Sequence, residues 1–150
     1  MRRQDRKIDD NETLEILKNG EFGILSMVTL QNSAYGVPLN FALLNNDIYF
    51  HCAPEGTKLH YLRNNNKVSF CVVGKTEVLP SKFATIYESA IVNGFTTEIE
   101  GEEKNNALMC IIEKYSGNYI DEGKEYIDNF YDKVTVIKLS IESVTGKARK

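Results

Sequence analysis

The sequence predicts a mainly β, α+β domain of six antiparallel strands closing into a barrel or closed sheet, with helices as caps. Three observations predict this. Short apolar runs recur along the chain, each bounded by Gly, Asn, Asp or Pro. The connections between most of them are short. The longer helical patterns are inserted late, which argues for an antiparallel barrel or closed sheet with helical caps. At 150 residues the chain forms a single domain, residues 1–150, long enough to bury a real core.

Taken in order, Asp10 or Asn11 can cap a first helix that runs through Asn19, with Leu14, Ile16 and Leu17 as apolar positions and Gly20 ending it. Residues 22–30 form an apolar strand, and Gln31, Asn32 and Ser33 a turn. The second strand covers residues 35–44 and carries Pro38 in its middle. Proline cannot donate to a ladder, so this position lies on an edge or beside a bulge, or faces something other than a neighbouring strand. Asn45, Asn46 and Asp47 turn the chain into the returning strand 48–52. Ala53-Pro54-Glu55-Gly56 breaks that strand, and a helix spans 57–65. Residues 67–74 are a strand apolar on much of both faces, and 76–83 a loop containing Pro80. Residues 85–98 form a long strand in which Gly94 marks a bulge or a close backbone approach. Helices follow at 102–115 and 123–130, and residues 134–141 are the closing strand.

A formal charge of -3 with 26% charged and 42% hydrophobic residues fits an ordinary soluble protein and lacks the basic excess of a nucleic-acid binder. The cluster Arg2, Arg3, Arg6, Lys7 reads as a solvated arm. No apolar run reaches the ~20 residues of a membrane span. Asp9, Asp10, Asn11 and Glu12 follow the arginines, unlike a secretory signal, so the cytoplasm is the expected location. Three cysteines without framework spacing fit reduced thiols.

His51, Cys52, His60, Cys71 and Cys110 lack the spacing of metal ligands, and no metal is expected. Adjacent His51 and Cys52 on one strand face opposite ways. Cys71 reads as core; Cys52, near Lys58, is the one candidate nucleophile. Ser89 has no nucleophile elbow and reads as a surface hydrogen-bonding residue. His51 is balanced between a packed core residue and a site residue that titrates near neutrality. Asn40, between Leu39 and Phe41, reads as a buried amide that must bond to backbone or ligand. The most informative stretch is residues 35–58. Its first strand is suited to hold something by main chain. Lys58 falls in a helix's first turn, where the dipole disfavours a cation and a bound anion would resolve the conflict. Residue chemistry therefore points to a planar, phosphate-bearing small molecule.

The opening MRRQDRKIDD, the strand YGVPLNFAL, the segment IYFHCAPEGTKLHYLR with NNKVSF after it, YESAIVNG and the closing VIKLSIESVTGK resemble, in order and spacing, one known family. These are the flavin-binding split-barrel proteins related to pyridoxamine 5'-phosphate oxidase, most closely their nitroimidazole-resistance branch. The resemblance implies a six-stranded split β-barrel homodimer with FMN in clefts between subunits. It implies main-chain contact to the isoalloxazine from Val37, Pro38, Leu39, Asn40 and Phe41. His51, Cys52, Ala53, Thr57 and Lys58 correspond to contacts with the ribityl chain and phosphate, and Glu88 and Ser89 to a strand approaching from the partner subunit. His51 is implied as the catalytic residue, delivering a proton or touching the substrate of a reductase of small acceptors. The arginine-rich phosphate cluster of the true oxidases is not visible, nor is a tryptophan for stacking, which leaves Phe41, Tyr35 or Tyr87. The alternatives are a non-catalytic flavin-binding or redox-sensing protein, and a split barrel holding haem or a deazaflavin.

Overall fold

A computed structural model describes residues 2–150. The chain forms α1 (Asp10–Asn19), β1 (Gly23–Val28), β2 (Ala34–Leu39), β3 (Ala42–Leu44), β4 (Asp47–Cys52), α2 (Thr57–Asn64), β5 (Lys67–Leu79), β6 (Ala84–Ile99), α3 (Gly101–Ser116), α4 (Ile120–Phe130) and β7 (Thr135–Arg149). All the strand pairs are antiparallel, in one seven-stranded sheet ordered β2-β1-β5-β6-β7-β4-β3. The expected second strand is two, because the chain breaks at Asn40 and Phe41, so the sheet has seven strands and not six.

That break governs the architecture. β2 and β3 are the two outermost strands, yet only Asn40 and Phe41 join them. Three Cα–Cα steps span at most about 11 Å, so the sheet must roll until its edges approach at this point. No ladder links β2 to β3, so the sheet is not closed; the expected closed barrel gives way to a rolled sheet with an open seam. Pro38 sits on edge strand β2, as its missing N–H requires.

Each element has a local cause. Asp9, not Asp10 or Asn11, caps α1, its carboxylate accepting the Glu12 N–H at 2.8 Å. Asn45 and Asn46 take positive φ (51° and 65°) in the two-residue turn between β3 and β4, a conformation asparagine tolerates. β5 runs on to Leu79 where a loop was expected, because a bulge between Val73 and Thr76 resets its register with β6. β7 likewise continues to Arg149. β5 is not apolar on both faces: Val68, Phe70 and Val72 point into the core, whereas Ser69, Cys71 and Val73 alternate outward. Gly94 lies at the β6 bulge, where a Cβ would sit 2.0 Å from the Ser140 carbonyl oxygen.

The main core fills the inside of the roll, with Leu17, Leu25, Phe41, Phe50, Phe70, Val72, Val92 and Leu139 fully enclosed. A second core lies between α3, α4 and the outer face of the β3-β4-β7 side, around Tyr49, Ala107, Ile127 and Val136. Among the described residues, no helix is long and apolar enough to cross a membrane.

Candidate functional site

Two open strand edges border the seam. β2 has a ladder only on its β1 side. β4 pairs with β3 over Asp47–Tyr49, but from Phe50 to Cys52 it pairs with β7 alone. Continuing the β3–β4 register would put His51 opposite Asn40. Along this stretch Asn40, His51 and Ala53 are exposed. α2 packs beneath by Leu59 and Leu62, and Tyr61 meets Tyr35 of β2 edge-on at 5.5 Å. The elements carrying residues 37–41 and 51–58 thus meet at one seam.

The side chains divide by alternation. Val37, Leu39 and Cys52 turn inward and pack on the core, while Pro38 is exposed. Asn40 is exposed, not buried: the chain bends there and its amide leaves the sheet. The Phe41 ring is fully buried, edge-on to Phe70 at 5.0 Å, so only its backbone is available to a ligand. His51 faces outward, which settles the balance against a packed core residue. Surrounding protein atoms and the Lys58 cation lower its pKa, favouring neutral imidazole. The Cys52 thiol is pushed up by burial more than Lys58 pulls it down, the wrong direction for a nucleophile. Cys71 is half-buried on the outer sheet face rather than in the core.

At the start of α2 no side chain among the described residues caps the helix, which leaves its first-turn amides free. Gly56, at φ 136°, has open space where a Cβ would stand. Lys58 is half-buried, with Nζ 5.7 Å from the centre of the Phe50 ring, while Thr57 is exposed. A free amide turn, a cation and two unpaired main-chain edges form a donor set that fits a phosphate joined to a flat polar ring.

Glu88 and Ser89 part company. Glu88 accepts the Lys75 N–H at 3.0 Å and packs over Gly74. Ser89 points to the opposite face of β6 from Glu88. There the cross-strand rows Ile24-Cys71-Ile91-Thr145 and Ser26-Ser69-Asn93-Ser143 carry no charge. Val73 and Ile91 on this face are 57% and 43% exposed.

Sequence reading missed Lys114 and Tyr115. They border a cavity of about 550 Å³ with Lys18, Glu21 and Asn40. A lysine in a helix's last turn is ordinary, so nothing in the sequence signalled them. Among the described residues no group of three or more His, Cys, Asp or Glu side chains is placed to hold a metal ion.

The family model for pyridoxamine 5'-phosphate oxidase matches residues 9–148. The chain belongs to this family. Among solved structures, a candidate 5-nitroimidazole antibiotic resistance protein from Bacteroides thetaiotaomicron is 28% identical. The match covers 95% of this chain and 86% of that one, with a TM-score of 0.77. An FAD-binding protein from Mesorhizobium loti is 20% identical over 97% of this chain and 98% of that one, with a TM-score of 0.68. An FAD- and haem-binding protein from Mycobacterium smegmatis is 14% identical over 97% and 74%, with a TM-score of 0.84. The last two likenesses establish the pyridoxamine 5'-phosphate oxidase-like fold alone. No curated protein matches the chain.

Proposed function

We propose that this member of the pyridoxamine 5'-phosphate oxidase family is a cytoplasmic homodimer that binds FMN at the seam and reduces small acceptors. The carrying observation is the uncapped start of α2 with Lys58 beside it, set against the free main-chain edges of β2 and β4. The phosphate lies on the amides of α2 and the Lys58 ammonium, and the ring system takes main-chain hydrogen bonds from residues 37–41. Bound flavin supplies two-electron reduction, while the protein orients the acceptor and excludes water. His51, kept neutral, holds the acceptor by a hydrogen bond more readily than it delivers a proton as imidazolium. The likeness to the Bacteroides protein supports a nitroaromatic compound as one acceptor.

The two uncharged cross-strand rows on the outer face of β1, β5 and β6 support the dimer, since charges are depleted where proteins associate. Ser89 lies on that face and reaches the partner's flavin, whereas Glu88 stays with its own subunit. This pairing gives the split-barrel arrangement, in which each cleft is completed by the second copy.

Two measurements test the proposal. Protein purified without added cofactor should show a flavin spectrum and release about one FMN per chain on denaturation. Released FAD, a Soret band or a colourless protein that refuses FMN would each overturn the cofactor. Replacing Lys58 by Ala should weaken FMN binding roughly ten- to hundredfold, the loss of one charge-assisted hydrogen bond. A flavin-loaded monomer in light scattering would rule out the shared cleft. Bound FMN with no turnover by any reduced nicotinamide would leave a flavin-binding or sensing role instead.

A further inference from the structure

The amino-terminal arm is not a free tail. After a 3-10 turn over Gln4–Arg6, the main chain of Lys7 bridges Lys147 and Ile8 is buried in the core. The arm therefore lies on the end of β7, where Tyr87 pairs with Arg149 and Ser89 with Lys147. Arg6 Nη1 donates to the Tyr87 hydroxyl at 3.3 Å, and Lys147 Nζ stands 5.5 Å from the centre of the Tyr87 ring.

The cations here divide into two sets. Arg3 is neutralised by Asp5 at 2.5 Å, and Lys150 by Glu12. Arg6, Lys7, Lys147 and Arg149 form no ion pair among the described residues. In a chain of net charge -3, such a concentration of unneutralised cations is not forced by composition. The Tyr87 hydroxyl accepts from Arg6 and keeps its own hydrogen for another acceptor. Arg6 and Lys147 also lower its pKa, which reports a positive local potential. A groove of about 580 Å³ opens beside the cluster, walled by Arg6, Lys7 and Arg149 with Asp5 and Glu12, which Arg3 and Lys150 neutralise; Lys147 and Tyr87 flank it from outside.

We propose that Arg6, Lys7, Lys147, Arg149 and the Tyr87 hydroxyl form an anion site for a small ligand carrying a diphosphate. A lone carboxylate would neutralise only one cation. A diphosphate carries several charges and matches the forked donors of the two arginines. Nucleic acid extends well beyond the ~8–10 Å over which charges act at physiological salt, and there it meets the protein's net negative charge. A diphosphate fits within that range.

In one subunit the site is distinct from the seam: along β7, His51 is opposite Val136 while Tyr87 is opposite Arg149. Lys147 is opposite Ser89, so in the proposed dimer the cluster stands beside the partner's cleft. Nicotinamide dinucleotides carry such a diphosphate, so the cluster offers the reductase a place for its electron donor. That assignment of a donor rests on the flavin reading; the anion site does not.

Isothermal titration of the full chain with ADP tests it. ADP should bind saturably, weaken as salt rises, and be displaced by inorganic pyrophosphate but not by adenosine. The double variant Arg6→Gln/Lys147→Gln should bind ADP at least ~10-fold more weakly. The exchange Arg6→Lys/Lys147→Arg should retain most of the affinity, as should Lys124→Gln/Lys133→Gln, which removes equal charge elsewhere. Lys58→Ala should leave ADP binding unchanged. Absence of ADP binding, equal affinity in the Arg6→Gln/Lys147→Gln variant, or loss with Lys58→Ala would overturn the site. If ADP binds as expected but reduced nicotinamide dinucleotide fails to displace it, the donor assignment falls while the anion site stands.

Discussion

The Tyr115 hydroxyl lies 3.0 Å from the main-chain nitrogen of Phe41 and accepts its hydrogen. The same oxygen is 2.9 Å from the Phe41 carbonyl and 2.5 Å from that of Glu21, one of which receives its own hydrogen. Phe41 is where β2 ends and β3 has not begun, so no ladder satisfies its backbone groups. One phenol on α3 thus stands in for the missing strand neighbour and fixes the bend that brings the two sheet edges together.

Replacing Tyr115 with Phe keeps the ring and removes only this oxygen. It should lower stability by about 1–3 kcal/mol, the cost of leaving a part-buried amide unpaired. The denaturation midpoint should fall with an unchanged slope. Because the bend positions residues 37–41, flavin affinity should fall as well. A variant as stable as the parent would show that water replaces the hydroxyl.

Next to Tyr115, the Lys114 ammonium is buried and has no hydrogen-bond partner among the described residues, 3.8 Å from the centre of the Phe41 ring. Burial lowers its pKa to about 8 from 10.5. The unfolded chain binds more protons than the folded one between these values, so the destabilising penalty is full below pH 8 and disappears as pH rises past 10.5. Replacing Lys114 with Met, which keeps the aliphatic stem, should raise stability at pH 7 by about 1 kcal/mol, after loss of the ring contact and solvent screening. Denaturation from pH 7 to 10.5 should show that gain shrinking. A gain that grows with pH would reverse the assignment.

Gly94 shows what the sequence made legible. A glycine inside a long apolar strand has few causes, a bulge or a close backbone approach was expected, and the structure shows both. Ala at this position would set its Cβ against the Ser140 carbonyl, which is backbone and cannot rotate away. Gly94→Ala should therefore cost at least ~2 kcal/mol by overpacking or prevent folding, read from the thermal midpoint or from soluble yield. An unchanged midpoint would mean that the bulge shifts freely.

Strands and helices were legible because burial imposes period 2 or 3.6 on side chains. Pro38 narrowed its strand to an edge, a bulge or a non-strand neighbour, because it lacks a donor, and the structure places it on an edge. The break at Asn40 and Phe41 was not legible, since the residue that stabilises it, Tyr115, is 74 positions away. Asn40 was misread for a related reason: apolar neighbours imply burial only while the strand continues. The cap on α1 moved one residue upstream because Asp9, Asp10 and Asn11 are chemically equivalent caps, and only the entry angle of the chain selects among them. The place of Lys58 in the first turn of α2 was legible from the Gly56 break before it; the ligand that its conflict with the helix dipole suggests is what the proposal tests.

His51 gives the most direct test of the seam's electrostatics. Desolvation by the protein atoms around its partly exposed ring is the larger cause of its lowered pKa and Lys58 the smaller. Its NMR titration midpoint should therefore lie below 6.5, with His60→Gln used to assign the two histidine signals. Lys58→Ala should raise the midpoint only part of the way back. A histidine with a depressed folded-state pKa binds fewer protons folded than unfolded, so the stability held by neutral His51 is fully present above pH 6.5 and is lost as pH falls from there through the lower folded-state value. His51→Gln should accordingly flatten the decline in stability below pH 6.5. A midpoint at or above 6.5 would mean that solvent, not protein, surrounds the imidazole, and would remove the reason for expecting a neutral ring beside an acceptor. A depressed midpoint unchanged by Lys58→Ala would place the ammonium too far away to serve the same ligand as His51.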